Sequence, residues 1–346
     1  MIDLLDLLVY IKHKPFGNTR VKEFENGSDD KKNQYSKTVI LNSCGSPVHV
    51  ISLNDRDAVS IRCSPLKVLQ GHNMFGSNNV CAIASSIICG TLDCLNIPYA
   101  QEQREAWSAG EFTIRAIDIT HRFKLSDGLT SFDICSHLLR TSPMKLCKPQ
   151  WLDQGIGVRL CTENSGLKWL LYDKEQELLD KRTKAFPYLK AVVGSDARNI
   201  WRSLVEIAAS TIRAELKLSK TYLKRHHLTN GRMWTAKRAQ EIYLSELNAL
   251  SMDAPISINR AVARVRSRPL LTTLLLWSNG HDLHAILPKS TFNSHRQAIV
   301  KQASIDIEKH IPAARSLKLS QIFCRENAHI LPDKRVFGKA AFLPIG

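Results

Sequence analysis

The stretch FTIRAIDITHRFKL, residues 112–125, decides the fold. It reads as one long strand, in which Asp118 and Thr120 share a face and Ile117 and Ile119 share the other. A carboxylate set inside so apolar a strand is costly unless it is paired or bound to a metal. The run TIRAELKL at 211–218 repeats the problem, because Glu215 stands between Ile212 and Leu216 with Arg213 and Lys217 on its own face. Two inward carboxylates on neighbouring strands would suit Mg²⁺ or Mn²⁺. The competing reading is a salt bridge from each acid to a basic neighbour, Glu215 with Arg213 being the obvious pair.

Further strand-like runs lie upstream: IDLLDLLVYI at 2–11, TVILN at 38–42, VHVISL at 48–53 and AVSIRC at 58–63. The last two flank NDRD, which predicts a hairpin turn. The polar stretch ENGSDDKKNQYS at 25–36 reads as an exposed loop. NVCAIASSIICGTLDCLNI at 79–97 has the length and apolar density of a buried helix despite Gly90. SFDICSHLLRT at 131–141 also reads as a helix.

Farther on, GVRLCTENS at 157–165 is strand-like and turns at Ser165–Gly166 into LKWLLYDKEQELLDKR, which begins apolar and continues as a charged helix. Helix-like NIWRSLVEIAAS and basic SKTYLKRHHL flank the 211–218 strand. From about residue 232 the pattern is helical and basic, without strands. Strands mixed with helices, then helices alone, predict an α+β chain: a mostly antiparallel sheet with helices over residues 1–235, followed by a smaller helical domain over 236–346.

The 346 residues carry 48 Lys and Arg against 32 Asp and Glu, a net +16. With 44% hydrophobic and 23% charged residues, the chain is globular and not disordered. Residues 1–150 balance at +2 (17 basic, 15 acidic) and residues 151–346 at +14 (31 basic, 17 acidic). Such an excess points to a polyanionic partner, nucleic acid before a merely solvated basic face. The nine cysteines are scattered with no C-x-x-C pair, which reads as reduced thiols and excludes a zinc knuckle or disulfide frame. Asp3 and Asp6 interrupt the apolar start and no basic region precedes it, so no signal peptide is expected. Apolar runs such as LLTTLLLW at 270–277 are far shorter than the ~20 residues that span a bilayer. A soluble intracellular protein is expected.

CSPLKVLQGHNMFGS at 63–77 resembles the S-P-x-K-V-L-Q-G-H-N signature of the filamentous-phage gene-two type of replication initiator, shared by phage and plasmid replication proteins. In family order follow AIDIT (116–120), WLLYDKEQE (169–177), IRAELKLSKTYLK (212–224) and GHDLHAILPKSTFNSHRQ (280–297). The resemblance implies a rolling-circle initiator of the Rep-nuclease kind. Such an enzyme nicks one strand at an origin, stays joined to the 5′ phosphate through a tyrosine, leaves a 3′ hydroxyl as primer and later rejoins the strand. It implies double- and single-stranded origin DNA, a host helicase and a polymerase as partners, in the cytoplasm of a bacterial host; oligomerisation is left open.

Of the seven tyrosines, Tyr172 stands where an apolar run meets a charged helix, in Y-D-K-E-Q-E, and it matches the family's nucleophile position. Phenol, with a pKa near 10, needs a nearby cation, metal or base to attack phosphate. Lys174 is placed to lower the tyrosine pKa or hold phosphate, and Glu177 to support it. Many rolling-circle nucleases carry two histidines around one hydrophobic residue, and this chain has no such triplet. His121 faces away from Asp118 in a regular strand. His72, in QGHN, is the better candidate, as metal ligand, phosphate contact or a histidine bonding its own turn.

SRPLLTTLLLWSNG reads as a helix stopped at Asn279–Gly280, and a second helix follows Pro288 with Ser290 as N-cap, a pattern resembling a helix-turn-helix. The expected DNA contacts are Lys67, Asn73, Arg213 and Lys217, then Arg264 and Arg266 of an arginine-rich stretch that includes Arg260 and Arg268, then Lys289, Ser290, His295 and Arg296. Two rivals remain. His137 and Arg140 match the H-x-x-R of tyrosine recombinases, whose catalytic domains are helical with the tyrosine near the C-terminus. A non-catalytic origin-binding regulator would use only the C-terminal module.

Overall fold

The structure, a computed structural model, describes residues 1–22, 32–41, 46–53, 56–126, 128–141, 147–152, 156–161, 166–250, 258–308 and 318–328. In chain order the first elements are β1 (Ile2–Tyr10), β2 (Asn18–Lys22), β3 (Lys32–Ile40), β4 (Pro47–Leu53), β5 (Ala58–Cys63), α1 (Pro65–Gln70), α2 (Val80–Cys94), α3 (Gln101–Ser108) and β6 (Thr113–Lys124). Next come α4 (Ser131–Thr141), β7 (Cys147–Trp151), β8 (Gly157–Cys161), β9 (Leu167–Asp173), α5 (Lys174–Asp180), α6 (Arg182–Val193), α7 (Ala197–Ala209), β10 (Thr211–Leu218) and α8 (Lys220–Arg225). Helices alone complete the described chain: α9 (Ala236–Ala249), α10 (Ile258–Arg264), α11 (Arg268–Ser278), α12 (Leu283–Ile286), α13 (Lys289–Ala303) and α14 (Leu319–Ile322).

The ten strands form one sheet in the order β2-β3-β4-β5-β1-β6-β10-β9-β8-β7, antiparallel at every pairing. The α+β expectation holds, antiparallel sheet first and helices after it. β6 and β10 sit side by side at the centre, so the two acid-bearing strands of the sequence are neighbours. Their register sets Lys217 opposite Asp118, Glu215 opposite Thr120 and Arg213 opposite Arg122. On its other edge β10 meets β9, with Arg213 opposite Tyr172.

One face of this centre is apolar. Ile212, Ala214, Leu216 and Leu218 alternate inward on β10 and join Ile117, Ile119 and Phe123 of β6. Helix α2 brings Val80, Ile83, Ala84, Ile87, Ile88 and Leu92, the spacing of a helix stripe turned to a sheet. Its start is fixed by Asn79, whose side chain accepts the Ala82 N–H at 3.1 Å. Helix α9 closes the same core through Ala239, Ile242, Tyr243 and Leu247, so residues just past the expected boundary at 235 belong to the sheet's core. A separate apolar cluster runs from Ala261 to Ile307 in the C-terminal helices.

Some local expectations change. Residues 32–36 lie in β3 and not in a loop, because Lys32–Ser36 pairs with Asn18–Lys22 of β2; residues 25–31 fall outside the described chain. β4 and β5 do form the hairpin, Leu53 opposite Ala58. The C-terminal pattern has a short helix, α12, between the two expected ones. Helix α13 starts at Lys289 with Pro288 as N-cap, so Ser290 is its second residue and not its cap. Among the described residues no helix is long and apolar enough to cross a membrane, and the seven cysteines whose side chains are described are free thiols.

Candidate active site

The opposite face of the central strands is polar, and the signature segment folds onto it. Helix α1 takes Pro65 in its first turn, where a missing N–H costs nothing, and ends at Gly71 with φ +77°. A side chain at Gly71 would lie 2.9 Å from the Leu189 Cα, so the turn requires glycine. Beyond it His72, Asn73, Met74 and Phe75 are all buried. Gln70 holds this loop by donating to the carbonyls of Phe75 at 2.6 Å and His72 at 3.3 Å.

Asn73 joins three elements. Its Nδ2 donates to Asp3 Oδ1 of β1 at 2.6 Å, and its Oδ1 accepts from Lys174 Nζ of α5 at 3.2 Å. Its backbone carbonyl accepts from Arg213 Nη1 of β10 at 2.6 Å. Arg213 is fully buried and also lies 2.9 Å from Asp3, an ion pair by distance although Nη2 does not aim its hydrogen along that line. Burial alone would raise the Asp3 pKa, but Arg213, Lys174 and Lys67 together hold it below the ordinary carboxylate range.

Tyr172 is the last residue but one of β9, before Asp173, whose side chain accepts the Gln176 N–H at 3.0 Å and so starts α5. Glu175 and Glu177 in the first turn suit the positive end of that helix. The strand-to-helix change read in the sequence therefore falls one residue past the tyrosine, between Asp173 and Lys174. On the other edge Gly157 of β8 faces it, where a Cβ would come within 2.3 Å of the Tyr172 Cβ, so only glycine fits that close approach. The Tyr172 ring is 7% exposed, and its hydroxyl donates to Glu215 Oε2 at 3.3 Å. Lys174 Nζ and Arg213 Cζ each stand 5.9 Å from the ring centroid. Burial drives the Tyr172 pKa well up, with Arg213 opposing and Glu215 and Glu177 reinforcing.

Lys174 is buried and ion-paired to Glu177, which also binds Lys181 at 2.8 Å. Burial lowers the Lys174 pKa to about 8, against the pull of Glu177. The two acids singled out in the sequence converge on one point. Lys217 Nζ lies 2.6 Å from Asp118 Oδ2 and 2.5 Å from Glu215 Oε1. Glu215 thus pairs with Lys217 and not with Arg213, which Asp3 and Asn73 engage. Burial raises the Asp118 pKa to about 7; Lys217 opposes this and Glu215 adds to it.

His72 lies in the same loop, but among the described residues no three His, Cys, Asp or Glu side chains gather as a metal-binding group. Its Nδ1 accepts the Met74 N–H at 3.3 Å while its Nε2 is buried without a partner. Burial, then Arg122 and Lys174, push its pKa down to about 4, so the ring is neutral. His121 faces away from Asp118, as expected, with its ring 4.4 Å from that of Tyr243.

Tyr172, Lys174, Asp118, Glu215, Asn73, Arg213 and Lys217 thus meet on one face, with Lys67 on the helix above. The C-terminal candidates do not reach this face as one set. Arg264, Arg266, Lys289 and Ser290 are exposed. His295 Nδ1 is 2.7 Å from Thr273 Oγ1, tying α13 to α11, and Arg296 makes a two-pronged ion pair with Asp306 at 2.6 and 2.7 Å. The side chain of Arg260 lies outside the described part of the chain. The sequence reading missed Asp3 and Arg122. Asp3 carried the same signal as Asp118, an acid in an apolar strand, but was read only as a break in the N-terminal run.

Comparison with known proteins adds lineage to this geometry. A rolling circle replication initiator protein from Geobacillus stearothermophilus is faintly similar in structure, at 10% identity and a TM-score of 0.27 over 90% of this chain and 98% of that one. The replication-associated gene-two protein of Enterobacteria phage I2-2 is 23% identical over 285 residues, covering 81% of this chain and 76% of the relative. The family described as the N-terminal part of the replication-associated gene-two protein matches residues 1–237, the span that holds every strand of the sheet and the whole Tyr172 face. The chain belongs to that replication-associated protein family.

Proposed function

We propose that this protein initiates rolling-circle replication by nicking origin DNA through Tyr172 and later rejoining the strand. One observation carries the reading: the Tyr172 hydroxyl donates to a buried carboxylate, Glu215, while two buried cations flank its ring. Glu215 takes the phenolic proton as the oxygen attacks the phosphorus. The new bond is a phosphotyrosine at the 5′ end, and the bond broken is that to the 3′ oxygen, which leaves as a hydroxyl by taking a proton from solvent water. Lys174 and Arg213 lie where charge builds on the phosphoryl oxygens. Attack by the free 3′ hydroxyl on the phosphotyrosine reverses the step and joins the strand.

The donor set fits a divalent cation, because Asp118 and Glu215 already converge on one cationic point that Lys217 occupies. Mg²⁺ or Mn²⁺ bound there would neutralise the non-bridging oxygens of the scissile phosphate. Lys217 would then turn outward, where its side chain is one-third exposed already. Origin DNA, single- and double-stranded, is the substrate, the bacterial cytoplasm the setting, and a host helicase and polymerase would act on the primed 3′ end. The exposed Arg264, Arg266 and Lys289 would hold duplex phosphates, with the helices of the separate C-terminal cluster, α10 to α13, as the docking module.

The test is a gel of full-length protein with single-stranded origin DNA and Mg²⁺ or Mn²⁺. A nick and a protein-linked DNA fragment are expected, both lost in Tyr172→Phe. An adduct surviving in that variant would overturn the assignment and turn attention to Tyr188 or Tyr222. Origin binding with no adduct under any metal condition would favour the non-catalytic regulator.

A further inference from the structure

Beside the Tyr172 face lies a cavity of about 300 Å³. The pairing of β1 with β6 ends at Ile2 and Ile119, and the loop 74–78 turns in past that point, held by the Ile2 N–H donating to the Ser77 carbonyl at 3.1 Å. The walls are that loop, residues 120–122 of β6, Met1, and Gln240 of α9.

Three of the lining residues hold a buried polar atom that lacks a partner: Arg122 Nη1, His121 Nε2 and Asn78 Oδ1. Arg122 is 2% exposed, its guanidinium stacks 4.1 Å over the Phe75 ring, and its neighbour across the sheet is another guanidinium, Arg213. Like charges directly opposite repel. Arg213 is compensated by Asp3, whereas among the described residues no carboxylate pairs with Arg122. A buried cation without its anion is costly, and a ligand anion would relieve that cost. An anion alone, however, would leave Asn78 Oδ1, an acceptor, unanswered. A donor, an acceptor and a neutral imidazole beside an aromatic ring match a nucleobase edge carried next to its phosphate.

Size and place agree. The volume stands at the lower end of small-molecule pockets, enough for one small unit and not for a duplex. Arg122, Arg213 and Tyr172 lie in line on one face of three adjacent strands, so Arg122 is two strand spacings, ~10 Å, from the tyrosine. At a stacked rise of ~3.4 Å that is a few nucleotides of single strand.

We infer that this cavity takes one unpaired nucleotide a few positions from the scissile phosphate, with Arg122 on its anionic part and His121, Asn78 and Gln240 on its base edge. The inference rests on the reading of the chain as acting on single-stranded DNA, but its test needs no nicking. Full-length protein is titrated by calorimetry with each of the four 5′-deoxymononucleotides, with inorganic phosphate and with the matching nucleosides. At least one nucleotide should bind at least tenfold tighter than either fragment. Arg122→Gln should weaken that nucleotide tenfold or more, and Gln240→Ala, a half-buried wall residue with less structural weight, about threefold. Tyr172→Phe should bind it like wild type, so a failure of the nicking chemistry would leave this result standing, and the reverse.

Equal binding of inorganic phosphate would overturn the inference and leave an anion site only. No saturable binding at millimolar nucleotide, or equal binding by Gln240→Ala and a folded Arg122→Gln, would also overturn it. Thermal unfolding of each variant establishes that it is folded.

Discussion

Ile212, Ala214, Leu216 and Leu218 on one side of β10 and Arg213 and Glu215 on the other are almost equally dry, at 0–1% exposure against 0% and 5%. Yet they do opposite things. The first side buries methyl and methylene groups against β6, α2 and α9, which stabilises the sheet with no directional requirement. The second keeps charges out of water, where each must find a partner at a particular distance. Alternation along one strand therefore separates stability from chemistry at a spacing of one residue, and buried charge marks the side on which to look for function.

Tyr172→Phe should break the comparison most sharply. The hydroxyl makes only one long hydrogen bond, 3.3 Å to Glu215, so stability should change by about 1 kcal/mol or less. Nicking and the covalent adduct should vanish from the gel. Leu216→Ala, on the other side of β10, should do the reverse. A fully buried leucine cut to alanine costs about 2–5 kcal/mol, read in denaturant unfolding. Nicking per folded molecule should stay at the wild-type rate.

Glu215→Gln and Asp118→Asn come next. In the proposed step Glu215 accepts the phenolic proton, and losing such a group costs about 10²- to 10⁴-fold in rate. Asp118→Asn should weaken cleavage strongly as well, and raised Mn²⁺ should restore part of the loss in both variants by mass action on a weakened site. Wild-type rates at ordinary Mg²⁺ would make the two acids mere partners of Lys217.

A milder effect follows from pH. Burial raises the Asp118 pKa to about 7, and with its proton on, it would hold the proposed divalent cation poorly. Activity should therefore rise as pH climbs through about 7. The Lys174 pKa is lowered to about 8, so above that pH the cation proposed to act on the phosphoryl oxygens is lost and activity should fall. The bell should be narrow. Lys174→Arg should shift the alkaline limb upward and leave the acid limb in place, because arginine stays charged. A flat profile from pH 6 to 9 would remove both groups from the chemistry.

Much of this was legible in the sequence for a simple reason. Strand periodicity alone assigns Asp118, Thr120 and Glu215 to faces, and the passage from apolar run to charged helix at Tyr172 is a local event. The partners were not legible. Asp3, Asn73 and Lys174 meet only because β1, the 71–77 loop and α5 come together in space, across separations of 70 and 101 residues. Arg213 looked like the partner of Glu215 because the two are close in sequence on one face, but three-dimensional packing gave it to Asp3. Arg122 went unremarked because its significance lies in an absent partner, which no local pattern encodes.

The smallest expected effect concerns the exposed charges of the C-terminal helices. Arg264, Arg266 and Lys289 are free of ion pairs among the described residues and face water, whereas His295 and Arg296 are bound to Thr273 and Asp306. If the exposed set neutralises duplex phosphates, Arg264→Gln and Arg266→Gln should each cut origin-duplex affinity only a few-fold at moderate salt. Each should also flatten the slope of log affinity against log salt by about 0.9, since a phosphate that is no longer neutralised keeps its counterion. Cleavage of a short single strand should not change, because neither residue belongs to the Tyr172 face. Arg296→Gln should leave the slope where it is and instead lower stability, through the loss of its pair with Asp306. An unchanged slope in both Arg264 and Arg266 variants would remove those residues from the duplex interface and leave duplex binding to the sheet domain or to other basic residues.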